Sequence, residues 1–129
     1  MADGDFVTRV QPKAGNGIVT ELFLLLDAQA GAGAGVWVPC RGAQSITLII
    51  SGIAASEGVT FYGYIPADGD PDTLPTASDD HSTISSEQTE NIILGLPRSD
   101  VPWFIKCDQT TAGGSNAVTV LASIDYLEA

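Results

Sequence analysis

The chain has 129 residues, enough for one domain of ordinary size and little more. Hydrophobic residues make up 44% and charged residues 16%, a balance that excludes an intrinsically disordered chain. Five Lys and Arg against 16 Asp and Glu leave a net charge of −11, which repels phosphate backbones and anionic lipid, so neither nucleic acid nor a membrane surface is an expected partner.

The first segment, residues 1–17, is polar and carries Asp3, Gly4, Asp5, Arg9, Pro12, Lys13, Gly15, Asn16 and Gly17. Segments of this kind order against a partner, so 1–17 is expected to be a docking arm ahead of a folded domain over 18–129. Its acidic start, Met1-Ala2-Asp3-Gly4-Asp5, is not the basic opening of an export signal. The expected site of synthesis and assembly is therefore a cytoplasm, with Cys40 and Cys107 as reduced thiols. The greasiest run, Leu22–Leu26, lies between Glu21 and Asp27 and falls far short of the ~20 apolar residues of a membrane span.

From Ile18 onward, short apolar runs alternate with Gly, Pro, Asp and Ser clusters, the pattern of an all-β domain. The predicted strands are Ile18–Leu26, Val36–Pro39, Ser45–Ser51, Val59–Ile65, Glu90–Leu96, Trp103–Cys107 and Ala117–Tyr126. A helix competes only over Ile18–Ala30, where β-branched residues at the start and a Gly-rich tract at the end favour a strand. Val59, Phe61, Gly63 and Ile65 share one face of their strand, and Thr60, Tyr62 and Tyr64 share the other. In the last strand Val118, Val120, Ala122, Ile124 and Tyr126 oppose Thr119, Ser123 and Asp125.

The connections carry their own signals. Residues 30–35 alternate Ala and Gly and form either a flexible loop or a tightly packed backbone crossing. Residues 66–88 are a long polar excursion, with its Asp residues concentrated in Asp68–Asp80. Thr110–Asn116, with Gly113-Gly114, reads as the loop of a hairpin joining the last two strands. Seven short strands so connected imply a single-domain antiparallel β-sandwich, with the jelly-roll type favoured over the immunoglobulin-like type.

No catalytic, cofactor-binding or metal-binding residue is expected. His81 with Cys40 or Cys107 could be drawn as a nucleophile pair, but Cys107 shares an apolar face with Val101, Trp103 and Ile105 and should be buried and inert. Asp68, Asp70, Asp72 and Asp79 have the spacing of calcium ligands, yet Thr73 stands where such a loop needs Gly, and Pro71 and Pro75 stiffen it. A solvated acidic loop is the expected outcome. The aromatics Tyr62, Tyr64, Trp37 and Trp103 are expected to serve packing or an interface ahead of sugar binding.

Phe23–Leu26, Ile46–Ile50 and Ile92–Leu94 have no consistently wet side. That surplus calls for cover by loops or by another chain, hence a homo-oligomer (dimer or trimer) or a larger assembly.

The order of elements resembles that of small β-sandwich structural proteins of tailed bacteriophages, capsid cement (decoration) proteins among them. The likeness is carried by Gly42–Leu48 leading into a strand that ends Ser51-Gly52, then Val59–Tyr64 with a polar insert, Leu96–Lys106 entering the penultimate strand, and a Gly-rich hairpin before the final strand Ala117–Ser123. The resemblance implies a non-enzymatic virion protein on the capsid surface that binds the major capsid protein and stabilises joints between subunits. The alternative is a head-fibre, tail or spike-associated binding module that recognises carbohydrate or depends on calcium.

Overall fold

The computed structural model describes residues 2–10, 17–29, 31–54, 56–70, 72–73, 75, 82–111, 113 and 117–127. The described residues form nine strands: β1 (Asp5–Val10), β2 (Ile18–Gln29), β3 (Val38–Pro39), β4 (Ser45–Ser51), β5 (Gly58–Tyr64), β6 (Ser82–Thr83), β7 (Ile93–Pro97), β8 (Phe104–Thr111) and β9 (Val118–Leu127). The one helical turn among the described residues is a 3-10 turn at Arg98–Asp100. The strands form a five-stranded sheet in the order β1-β2-β9-β4-β7 and a four-stranded sheet in the order β3-β8-β5-β6. Every pairing is antiparallel.

The core lies between the two sheets and follows the period of two along each strand. The five-stranded sheet contributes Ile46, Leu48 and Ile50 from β4 and Val118, Val120, Ala122 and Ile124 from β9. The four-stranded sheet contributes Val38, Val59, Phe61, Ile105 and Cys107. Full burial of a side chain such as Leu48 or Phe61 is worth about 1.5–3 kcal/mol, so these alternating faces supply most of the drive to close the sandwich. At one end a buried polar pair, in which Gln109 Nε2 donates to Glu57 Oε2 at 3.4 Å, sits beside the apolar layer.

The run Phe23–Leu26 breaks alternation because β2 is bulged. Leu24 pairs with Leu121 and Leu26 with Val120, so Leu25 is the extra residue, and both Leu25 and Leu26 reach the core. A second irregularity follows before Gln29, where Ala28 takes a φ of 46°. The N-terminal turn holds this bent part of β2: Gly4 N–H donates to the Leu24 carbonyl at 2.6 Å, and Asp27 N–H donates to Asp3 Oδ1 at 2.8 Å. Within the N-terminal segment, Asp5–Val10 thus lies in the sheet as β1, with Phe6 edge-on to Phe23 at 5.4 Å.

The Ala-Gly tract is a packed crossing. Gly33 bridges Gln109 through both backbone groups, and Gly35 lies so close to the Cys107 carbonyl that no side chain fits between them. This segment continues the line of β3 along β8 and carries the chain from one sheet to the other.

One expectation is overturned. The last two strands do not form a hairpin: β8 belongs to the four-stranded sheet and pairs with β5, whereas β9 lies in the middle of the five-stranded sheet between β2 and β4. Both β8 and β9 bury one face in the same core, and two apolar faces are better hidden facing each other across the sandwich than lying side by side.

Candidate functional site

The thiols are placed as core. Cys40 and Cys107 are both fully buried and form no disulfide. Cys40 Sγ donates to the Pro102 carbonyl at 3.3 Å. Burial pushes the Cys40 thiol up to about 12, and it raises Cys107 further, helped by the nearby charges of Asp108 and Asp3. A thiol held neutral in this way is a poor nucleophile near neutral pH. His81, the other half of the dyad considered above, lies outside the described residues, as do Asp79 and Asp80.

The described part of the acidic loop uses its carboxylates internally. Asp68 Oδ1 accepts from the Asp70 N–H and Asp70 Oδ1 from the Asp72 N–H, each at 2.9 Å, which are successive Asx turns. Among the described residues no three His, Cys, Asp or Glu side chains converge.

Two sheet faces remain, and their chemistry differs. The outer face of the four-stranded sheet is aromatic. Trp37 lies 6.1 Å from Tyr64, and Tyr64 lies 6.3 Å from Phe104, ring centre to ring centre. The register sets Tyr62 opposite Lys106 and Tyr64 opposite Phe104, which brings the predicted outward tyrosines onto one surface. Lys106 Nζ sits between rings, 5.2 Å from Trp37 and 5.5 Å from Tyr62, and pairs with Asp108 at 3.3 Å. Arg41 stacks on Trp103 at 4.3 Å. Two of the chain's five basic residues are therefore spent on aromatic faces, where cation–π attraction of about 0.5–2 kcal/mol each fixes the rings. The two cations had not been singled out from sequence, although Lys106 falls in step with Phe104 on an alternating strand.

The outer face of the five-stranded sheet is nearly uncharged. Its register forms rows across β7, β4, β9 and β2. One row is Ile93-Ile49-Leu121-Leu24, the next Gly95-Thr47-Ser123-Leu22, the third Pro97-Ser45-Asp125-Thr20. Asp125 is the one ionisable side chain in these rows, and its carboxylate accepts from Thr20 Oγ1 at 2.6 Å and Ser45 Oγ at 3.1 Å. Ile93 is 67% exposed. The surplus apolar character read from sequence thus divides: Leu25 and Leu26 reach the core through the bulge, while Ile49 and Ile93 lie with Leu121 on this outer face, a row visible only once the register is known.

A cavity of about 500 Å³ opens between the sheet edges, lined by Tyr64, Ile65, Thr83, Leu96, Asp100 and Pro102 among others. Among the described residues Asp100 is the one carboxylate in its wall.

No protein-family model matches the chain, and no curated protein matches it in sequence. Among solved structures, the fold is similar to the crystal structure of the SPBc2 prophage-derived protein YomS, with a TM-score of 0.61 and 16% sequence identity, over 90% of this chain and 98% of that one. At that identity the likeness shows a shared fold.

Proposed function

We propose that this chain is a non-enzymatic structural protein of a tailed-phage particle, and specifically a capsid cement (decoration) protein. It would bind the major capsid protein on the outer surface of the head and strengthen the joints between subunits. The observation that carries this reading is the outer face of the five-stranded sheet. Across β7, β4, β9 and β2 a chain of net charge −11 leaves there rows of Ile, Leu, Thr, Ser and Gly in which Asp125 is the one ionisable group, with Asp5 at the β1 margin. Such a face docks on protein without desolvating charge. The remaining acidic surface faces solvent and discourages contact with packaged DNA. Many copies, each bound modestly, hold a shell through multivalency. The prophage origin of the structural neighbour supports the phage part of this reading. The buried, high-pKa thiols support the non-enzymatic part.

The test is the copy number of this chain in gradient-purified particles, measured by quantitative mass spectrometry against the major shell protein. Near-stoichiometric abundance is expected. Trace abundance or absence overturns the cement role.

The aromatic face favours a second reading, a binding module on a fibre, tail or spike. Trp37, Tyr62 and Tyr64 form a platform on which a sugar ring could stack. Quenching or shift of tryptophan fluorescence by host-surface oligosaccharides would favour this reading over the first.

A further inference from the structure

We infer that β7 is a self-pairing edge, through which two copies of this chain join their five-stranded sheets into one continuous sheet about a two-fold axis at Leu94. The other sheet edges are ill suited to this. β3 and β6 are two residues long, and β1 carries Asp5 and Arg9. β7 differs: from Asn91 to Pro97 the chain has no charge, Ile92 and Ile93 are exposed, and among the described residues only β4 pairs with it. An apolar, uncharged edge invites another strand unless something blunts it.

The direction of the backbone groups defines the edge. The Ile92 carbonyl accepts from Ile50 N–H on β4 at 2.9 Å. Strand alternation therefore turns Ile93, Gly95 and Pro97 toward the free side. Pro97 lacks an N–H, so across this edge it can only accept, and each of the two outer pairs it makes keeps a single backbone hydrogen bond.

Three independent features select the register centred on Leu94. It sets Ile93 opposite Gly95 of the second copy, so these residues exchange both backbone hydrogen bonds. It lays the exposed Ile93 side chain over a glycine whose missing Cβ would meet nothing within 4 Å. It also brings Glu90 alongside Arg98 of the second copy at both ends of the ladder, and both residues are exposed. A register centred on Gly95 would instead set Glu90 against Asp100 and bulky Ile93 against Pro97. Charge, shape and hydrogen bonding thus agree on one arrangement. The occupant is a second copy, because the strand is complementary to itself in this register. The pairing does not require the chain to be a capsid component.

The experiment is sedimentation equilibrium of the full chain, with variants at exposed positions whose folding is checked by circular dichroism. The wild type is expected to dimerise reversibly, with a dissociation constant on the order of micromolar. Ile93→Lys should raise that constant by at least about tenfold, since it places a lysine on each side of the seam. Glu90→Arg and Arg98→Glu should each weaken the dimer about tenfold by creating like-charge pairs at both ends, and the double reversal should restore it to within about threefold. A wild-type chain that stays monomeric to millimolar concentration overturns the proposal. So does a dimer indifferent to Ile93→Lys, or one that the double reversal does not rescue. Because the isolated chain is measured, this outcome is separate from its abundance in particles.

Discussion

Replacing Gly35 by alanine should destabilise the protein far more than replacing Gly31, in the same Ala-Gly tract. A Cβ at Gly35 would stand 2.1 Å from the Cys107 carbonyl oxygen and 3.4 Å from that of Leu25. Both neighbours are backbone of paired strands, so neither can rotate away; β8 and the crossing must separate by roughly 1 Å. Overpacking of this kind costs about 1–3 kcal/mol. The same shift strains the bond from Gly35 N–H to Asp108 Oδ1, now 2.9 Å, and weakening a hydrogen bond to a charged group adds about 1 kcal/mol. The sum, about 2–4 kcal/mol, corresponds to a fall in melting temperature of about 10 °C for a domain of this size. Gly31 has no positive φ, and a Cβ there meets nothing within 4 Å, so Gly31→Ala should be neutral or stabilise by up to about 1 kcal/mol. Thermal and urea unfolding followed by circular dichroism measure both. A Gly35→Ala protein that melts within 2 °C or so of wild type would refute the packed crossing.

Three further outcomes follow from the titrating groups. In native buffer, Cys40 and Cys107 should react with a thiol reagent such as DTNB only as fast as the protein opens, whereas both should titrate at once in denaturant; a thiol reacting within seconds in the native state would contradict their burial. The unfolded Cys40 thiol ionises near 9.0 while the folded one stays neutral to about 12, so its contribution to stability is complete below pH 9 and declines as pH rises toward 12, seen as a falling urea midpoint. Glu87 has the opposite sign. Hydrogen bonds donated by Thr110 and Thr111 hold its carboxyl below the ordinary value of 4.5, so its stabilisation is present above that pH and disappears as pH falls through the folded value. The stability difference between wild type and Glu87→Gln should therefore shrink between pH 6 and pH 3; a constant difference would show that these bonds do not favour the charged form.

Much of the β architecture is legible in the residues, and the departures have identifiable causes. β4 and β9 fall where alternating apolar residues and turn clusters place them, because each buries a single face; β5 and β8 are placed by the same signals, although Thr60 and Phe104 are buried on their second face and β8 runs on to Thr111. β1 escaped notice because Asp3, Gly4, Asp5 and Arg9 make the segment look polar, although Phe6, Val7, Thr8 and Val10 are all strand formers. In β2 the bulge at Leu25 inserts a residue, and the period of two does not survive an insertion. The hairpin reading of the last connection failed because Gly-rich sequence marks a reversal of the chain without saying which sheet receives the next strand. The candidate faces show the same division. Alternation alone places Tyr62 and Tyr64 together, but the row Ile93-Ile49-Leu121-Leu24 joins four strands distant in sequence and exists only through their register.

The proposed docking face can be tested most directly by binding purified protein to phage particles that lack it, with Thr47→Arg and Ser123→Glu as separate variants. These residues lie opposite one another near the centre of the uncharged face and outside the core. Their replacement should leave the melting temperature within about 3 °C of wild type. Because the introduced charges have opposite signs, loss of binding by both cannot come from a general electrostatic effect. Each variant is expected to bind at least about tenfold more weakly while remaining folded. Wild-type binding by both folded variants would contradict the assignment of this face as the surface through which the protein joins its assembly.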